Sequence, residues 1–239
     1  MESKYLAKRA PRGRWVIAHR GNSGPYPENT LRAFRSAVEI GADLIEIDVH
    51  LSADGDVIIS HDSELGRTCT GTGKIAELST AYLREQDAGS WKSPEFAGER
   101  LPLFTEFLAE IPLPVMVEIK PEGEEIVRRT IDAVRDANAL DRVVLAAFSD
   151  KNLHWAAQYA PQCERLALGK PSMSRMDNVQ ICAPHFEEAD KSLADALHEA
   201  HRALWCWTVD EPADIQRVLD YGVDGIISNW PERVFKVLK

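Results

Sequence analysis

Apolar and polar positions along the chain switch repeatedly between short continuous runs and longer amphipathic stretches. Trp15-Val16-Ile17-Ala18 is a brief apolar run suited to a buried strand. Over 29–40, Leu31, Phe34, Ala37 and Val38 recur at helical spacing, with Asn29 as the expected N-cap and Gly41 as the stop. Residues 44–51 predict a strand, Ala53-Asp54-Gly55-Asp56 a tight turn, and 57–60 the return strand of a hairpin. The span 63–101 has no regular period. Alternation then resumes, with strands expected over 115–119, 143–148, 165–168, 179–183, 203–209 and 225–228. Helices are expected over 122–137, 151–159, 191–201 and 212–221, and a last one opens at Pro231.

Strands that alternate with helices predict a parallel sheet. Eight such units in 239 residues predict a closed TIM (β/α)8 barrel, a fold that typically takes about 250 residues. The irregular span 63–101 then reads as a small insertion after the second strand, a functional lid more than a plain connection. Nothing else divides 15–239, which is expected to be a single domain. Residues 1–14 carry Lys4, Lys8, Arg9, Arg12 and Arg14 against Glu2, and read as a flexible, solvated arm.

Composition narrows the class. Hydrophobic residues make up 44% of the chain, enough for a sizeable core. A net charge of −10 makes a nucleic-acid partner unfavourable, although a single basic pocket could still hold one phosphate. Cysteines 69, 163, 182 and 206 are too far apart for a zinc or redox motif and read as reduced, buried thiols. No apolar stretch suits a signal peptide, and none approaches the roughly 18 residues of a membrane span. The expectation is a cytoplasmic protein, monomer or homodimer.

The chemistry concentrates at predicted strand ends. In Leu44-Ile45-Glu46-Ile47-Asp48-Val49, strand alternation puts Glu46 and Asp48 on one face and Ile45, Ile47 and Val49 on the other. Two carboxylates inside a barrel repel each other and are costly to desolvate, and a divalent cation would offset both costs. Oxygen ligands suit Mg²⁺ or Ca²⁺. Val115-Met116-Val117-Glu118-Ile119-Lys120 repeats the arrangement. Glu118 would complete the cation site or form a salt bridge with Lys120, and Lys120 would offer positive charge to an anionic substrate. His19-Arg20-Gly21 ends the first strand and Ser60-His61-Asp62 ends the hairpin, giving two proton-transfer candidates and a guanidinium fork. Of Trp205 and Trp207, one is expected in the core and the other on a pocket wall. Pro27-Glu28-Asn29-Thr30 reads either as capping or as part of the substrate pocket, with Glu28 as the candidate. Together these residues suggest phosphoester hydrolysis at a barrel mouth.

The same residues stand in stretches that resemble the glycerophosphodiester phosphodiesterase family: AHRGNSGPYPENTLRAF, GADLIEIDVHLSADGDVIISHD, GRTCTGTG, DAGSWKSPEFAGERLP, VEIKP, CWTVDEP and GVDGIISNWPE. They follow the family's order and cover nearly all of 15–235. The resemblance implies a TIM barrel and metal-dependent hydrolysis of glycerophosphodiesters, such as glycerophosphocholine and glycerophosphoethanolamine, to sn-glycerol 3-phosphate and an alcohol. It implies His19 and His61 as the acid–base pair, Glu46, Asp48 and Glu118 as ligands of one Mg²⁺ or Ca²⁺, Arg20 and Lys120 on the phosphate, and Trp207 at the glycerol. The neighbouring glycerol hydroxyl would attack first, through a cyclic phosphate that water then opens. The chain departs from the pattern at Ser63, where Pro is frequent, near Phe104, at Asp210, where Asn is frequent, and at Asn229-Trp230, where an Asp is common. Asp210 and Trp230 are therefore expected to affect preference for the alcohol. The link 169–178 shows little resemblance. A lysophospholipase D or sphingomyelinase D-like activity is the alternative on the same barrel, and it needs an apolar groove that 63–101 and 169–178 do not announce. A non-catalytic binder would have lost a histidine or a ligand, and this chain keeps them all.

Overall fold

The computed structural model describes residues 2–169 and 178–239, so most of the link 169–178 lies outside the described residues. Eight parallel strands form the barrel: β1 (Trp15–His19), β2 (Leu44–Leu51), β4 (Val115–Ile119), β5 (Val143–Ala147), β6 (Glu164–Leu168), β7 (Ile181–Ala183), β8 (Ala203–Cys206) and β9 (Gly225–Ser228). Pairing of β1 with both β2 and β9 closes the ring. The hairpin partner β3 (Val57–Ile59) runs antiparallel to the last residues of β2. This is the TIM barrel expected from the alternation.

Helices α1 (Leu31–Glu39), α3 (Phe104–Glu110), α4 (Glu124–Asp136), α5 (Asp150–Tyr159), α6 (Lys191–Glu199), α7 (Pro212–Tyr221) and α8 (Pro231–Val237) follow the strands. Two differences from the sequence reading stand out. Thr30, not Asn29, caps α1, its hydroxyl accepting from the Ala33 amide. Helix α3 was not anticipated: Phe104, Phe107 and Leu108 bury one face, and the Glu106 carboxylate accepts from the Leu103 amide at its start.

Alternation in the strands sorts side chains as expected. Ile45, Ile47, Val49, Val115, Val117 and Ile119 face the helices. Leu44, Met116, Val144, Leu166, Ile181, Trp205 and Ile227 fill the barrel interior. Trp205 is fully buried, and a Cβ on Gly225 would meet its ring at 2.5 Å, so only glycine lets the neighbouring strand accept the indole.

The N-terminal segment is not the solvated arm that its charges suggest. Tyr5 is 3% exposed and packs edge-on against Trp15 and Trp205. Ser3 and the Lys4 amide bind the Glu164 carboxylate, and the Ala7 amide binds Asp224. One aromatic ring among scattered cations outweighs them, because it closes the bottom of the barrel. The insertion also has its own small core, with Leu65, Cys69, Ile75, Leu83, Ala88 and Leu101 packed on Ile58, and a short helix α2 (Thr80–Glu85). All four cysteines are buried thiols outside any disulfide. Among the described residues, no helix is long and apolar enough to cross a membrane.

Candidate active site

Strand register assembles the site. His19 of β1 pairs with Glu46 of β2, and Asp48 of β2 pairs with Glu118 of β4. These residues sit toward the C-terminal ends of their strands, the mouth at which TIM barrels carry their chemistry. A cavity of about 290 Å³ opens there, lined by His19, Arg20, Glu46, His61, Glu118, Lys120 and Trp207 with apolar Met116, Phe148, Leu168 and Ile227. A larger, more open depression of about 510 Å³ lies between the N-terminal segment and α6 and α7, but no three ligating side chains converge there among the described residues.

Glu46, Asp48 and Glu118 are buried and offer one oxygen each within 4.8 Å of one another. Burial, and then the charge of Asp48, push both Glu46 and Glu118 upward, Glu118 to about 7. Asp48 resists its burial because Arg20 and Lys120 stand beside it, and it stays below the ordinary carboxylate range. Its Oδ1 is buried without a hydrogen-bond partner, and Lys120 Nζ is 3.6 Å away. An unpartnered carboxylate oxygen beside two mutually repelling carboxylates is a donor set that a hard divalent cation fits.

Arg20 holds the acidic cluster from one side. Its backbone sits at φ +56°, in the left-handed region a non-glycine residue enters at a cost of about 1–3 kcal/mol. Its amide donates to Glu46 Oε2 at 2.9 Å and its carbonyl accepts from the Asn29 amide at 3.0 Å, contacts that hold the turn. Its guanidinium reaches Glu28 at 2.8 Å and Asp48 at 3.2 Å. Asn29, also left-handed, donates its side-chain amide to Asp48 Oδ2 at 2.8 Å. It is a support for the acidic cluster in place of the helix cap expected of it. Lys120 Nζ lies 2.9 Å from Glu118, so the salt bridge and the shared site both exist.

The two histidines differ. His19 is partly buried, and desolvation together with the Arg20 charge pushes its imidazole down to about 4, so the ring is neutral near pH 7. Its Nδ1 lies 2.7 Å from Asn229 Oδ1 and its Nε2 3.8 Å from Glu46. His61 is partly open, its Nδ1 2.7 Å from Asp62. Arg67, from the insertion, spans Asp62 and Glu28. Trp207 lies just past the end of β8, not within the strand predicted over 203–209; its indole N–H donates to the Ala183 carbonyl and its ring meets Phe148 and His185 edge-on. Trp205 is the core tryptophan. Asp210 directs both carboxylate oxygens at Ser228 and Asn229, so the expected influence on the alcohol has no contact behind it.

All nine residues singled out from the sequence therefore surround this mouth: His19, Arg20, Glu28, Glu46, Asp48, His61, Glu118 and Lys120 through direct contacts or the shared cavity, and Trp207 on its wall. Asn29, Arg67 and Asn229 complete it and had been given no such role. All three stand in stretches that resemble the family, and Asn229 is one of the departures from its pattern, but no local pattern marks the contacts they make.

Fold and site together define a barrel with an acidic, cation-competent mouth edged by cationic side chains and two imidazoles. Residues 19–233 match the glycerophosphoryl diester phosphodiesterase family, and the chain belongs to it. It is 32% identical over 239 residues to a glycerophosphodiester phosphodiesterase of Caldanaerobacter subterraneus subsp. tengcongensis, covering 94% of this chain and 97% of that protein. A Bacillus altitudinis protein of the same name is 30% identical, with 93% and 97% covered. Among solved structures, an Oleispira antarctica phosphodiesterase in complex with the product sn-glycerol-3-phosphate superposes with a TM-score of 0.90 at 28% identity, over 94% of this chain and 96% of that one.

Proposed function

We propose that this protein hydrolyses glycerophosphodiesters, glycerophosphocholine and glycerophosphoethanolamine among them, to sn-glycerol 3-phosphate and an alcohol. The observation that carries this reading is the convergence of two imidazoles, two buried carboxylates and two cations on one cavity of about 290 Å³, with Asp48 completing the carboxylate triad beside it. Glu46, Asp48 and Glu118 would hold one Mg²⁺ or Ca²⁺, which when bound would stabilise charge on the phosphoryl oxygens. Lys120 and the Arg20 guanidinium add positive charge at the same edge, where it is worth most because the site is largely desolvated. Arg20 is tethered by Glu28 and Asp48, so its fork meets a phosphate with little loss of side-chain freedom. His19 and His61 act as the acid–base pair. Trp207 and the apolar wall beside it take the glycerol carbons. Four buried thiols, none in a disulfide, support a reducing, cytoplasmic compartment.

The test is release of sn-glycerol 3-phosphate from glycerophosphocholine by EDTA-stripped protein, with Mg²⁺ or Ca²⁺ returned. Release restored by one ion is the expected result and names the ion. A folded protein that releases nothing with either ion, and cleaves a lysophospholipid instead, would overturn the substrate assignment.

A further inference from the structure

Asp210 lies outside the cavity, yet it ends a hydrogen-bond chain that reaches His19. Its Oδ2 accepts from Asn229 Nδ2 at 2.7 Å, and its Oδ1 accepts from the Asn229 amide at 2.8 Å and from Ser228 Oγ at 2.9 Å. A carboxylate only accepts, so the NH2 end of Asn229 must face Asp210 and the oxygen end must face the other way. That oxygen meets Ser23 Oγ at 2.9 Å and His19 Nδ1 at 2.7 Å. An amide oxygen cannot donate, so the proton of the neutral imidazole belongs on Nδ1. The lone pair is then on Nε2, the nitrogen on the Glu46 side.

The geometry points to Asp210 as a positioning residue that fixes the tautomer of His19 through Asn229. This rests on the proton-transfer role proposed for His19 above. The two positions are also departures from the family pattern, Asp210 where Asn is frequent and Asn229 where Asp is common. In the structure they form a single contact, in which carboxylate and amide have exchanged places.

The exchange sets the test. In Asp210→Asn, the new amide keeps its oxygen toward the Asn229 and Ser228 donors and turns its NH2 toward Asn229 Nδ2. The Asn229 amide then reverses and presents NH2 to His19 Nδ1, which moves the imidazole proton to Nε2. Asn229→Asp alone brings two carboxylates together at the 2.7 Å now spanned by a hydrogen bond. The double variant Asp210→Asn/Asn229→Asp restores an acceptor for His19 Nδ1 and a donor between the two side chains.

Two readouts are needed. Ring ¹⁵N spectra of histidine-labelled protein, with the His19 signals assigned by their loss in His19→Gln, report the tautomer whether or not the protein turns over substrate. Wild type and the double variant are expected to show Nδ1–H, and Asp210→Asn to show Nε2–H. Glycerophosphocholine turnover is expected to fall in kcat by about 10- to 100-fold in Asp210→Asn, the usual cost of losing the partner that orients a functional histidine. KM should stay within about threefold, because no substrate contact is lost, and the double variant should recover most of kcat. An Nδ1–H signal that persists in folded Asp210→Asn, or a double variant no better than its worse single parent, would overturn the assignment. Absence of turnover in the wild type would instead overturn the substrate reading and leave the spectra to decide this one.

Discussion

Glu118 is a carboxylate whose folded environment favours its protonated form. Burial and the adjacent Asp48 charge raise it from 4.5 to about 7, with Lys120 only partly opposing them. The sign follows directly. Stability gained by keeping this group protonated is complete below 4.5 and is lost as pH rises through about 7. In EDTA, the melting temperature should therefore fall between these values. Glu118→Gln, which removes the charge and keeps the shape, should flatten that fall. A saturating divalent cation should reverse it, since it favours the ionised carboxylate. Cation at 100 times its Kd stabilises by about 2.7 kcal/mol, which is roughly 5–10 °C for a chain of this size. Differential scanning calorimetry at several pH values, with and without Mg²⁺ or Ca²⁺, checks all three. The Gln variant should show neither the cation-dependent rise nor activity. A wild-type Tm independent of pH in EDTA would mean that the three carboxylates do not interact as the geometry requires.

At the scale of elements, the strands made the site legible and the loops concealed part of it. Period-two alternation placed Glu46 and Asp48 on one face of β2, and the parallel register brought Glu118 beside them. Both are consequences of backbone geometry that any strand reading contains. Asn29 and Asn229 were hidden because their roles depend on left-handed backbone or on contact across about 200 residues, which no local pattern encodes. The insertion looked irregular since its core is built from single apolar residues separated by turns. It nevertheless supplies Arg67, which donates to Asp62 beside His61 and to Glu28 beside Arg20. That bond to Arg67 outweighs the upward push of burial and, with the His61 bond, holds Asp62 down at about 2. The contribution of Asp62 to stability is thus present above 3.8 and lost as pH falls through about 2. Arg67→Met should return Asp62 toward its ordinary range, visible in a carboxyl ¹³C titration. The pair is half exposed, so the stability cost should stay near or below about 1 kcal/mol. Activity should suffer far more, about 10- to 100-fold in kcat/KM, if both His61 and Arg20 lose their alignment. A variant with full activity would show that the insertion covers the mouth without organising it.

The whole molecule divides its labour between two ends. The C-terminal mouth carries buried charges, left-handed residues and an unpartnered carboxylate oxygen, all of which cost stability. The opposite end carries Tyr5, Trp15 and Trp205 in edge-on contact, with Gly225 leaving room for the indole. In a barrel closed by β1 and β9, those rings brace the same strands whose far ends present His19 and Asn229. Tyr5→Ala removes the ring that seals this floor and leaves a cavity that the surrounding strands cannot collapse to fill. Aromatic-to-Ala changes in cores cost about 3–5 kcal/mol, and at the lower end that is roughly 6–12 °C in Tm for a protein of this length. The site is built from the other end of the strands, so kcat and KM for glycerophosphocholine at 25 °C should match wild type while the variant remains folded. Calorimetry and a steady-state assay on the same sample read both. A large fall in kcat with unchanged Tm would be the reverse of this division, and would mean that the floor of the barrel positions the chemistry at its mouth.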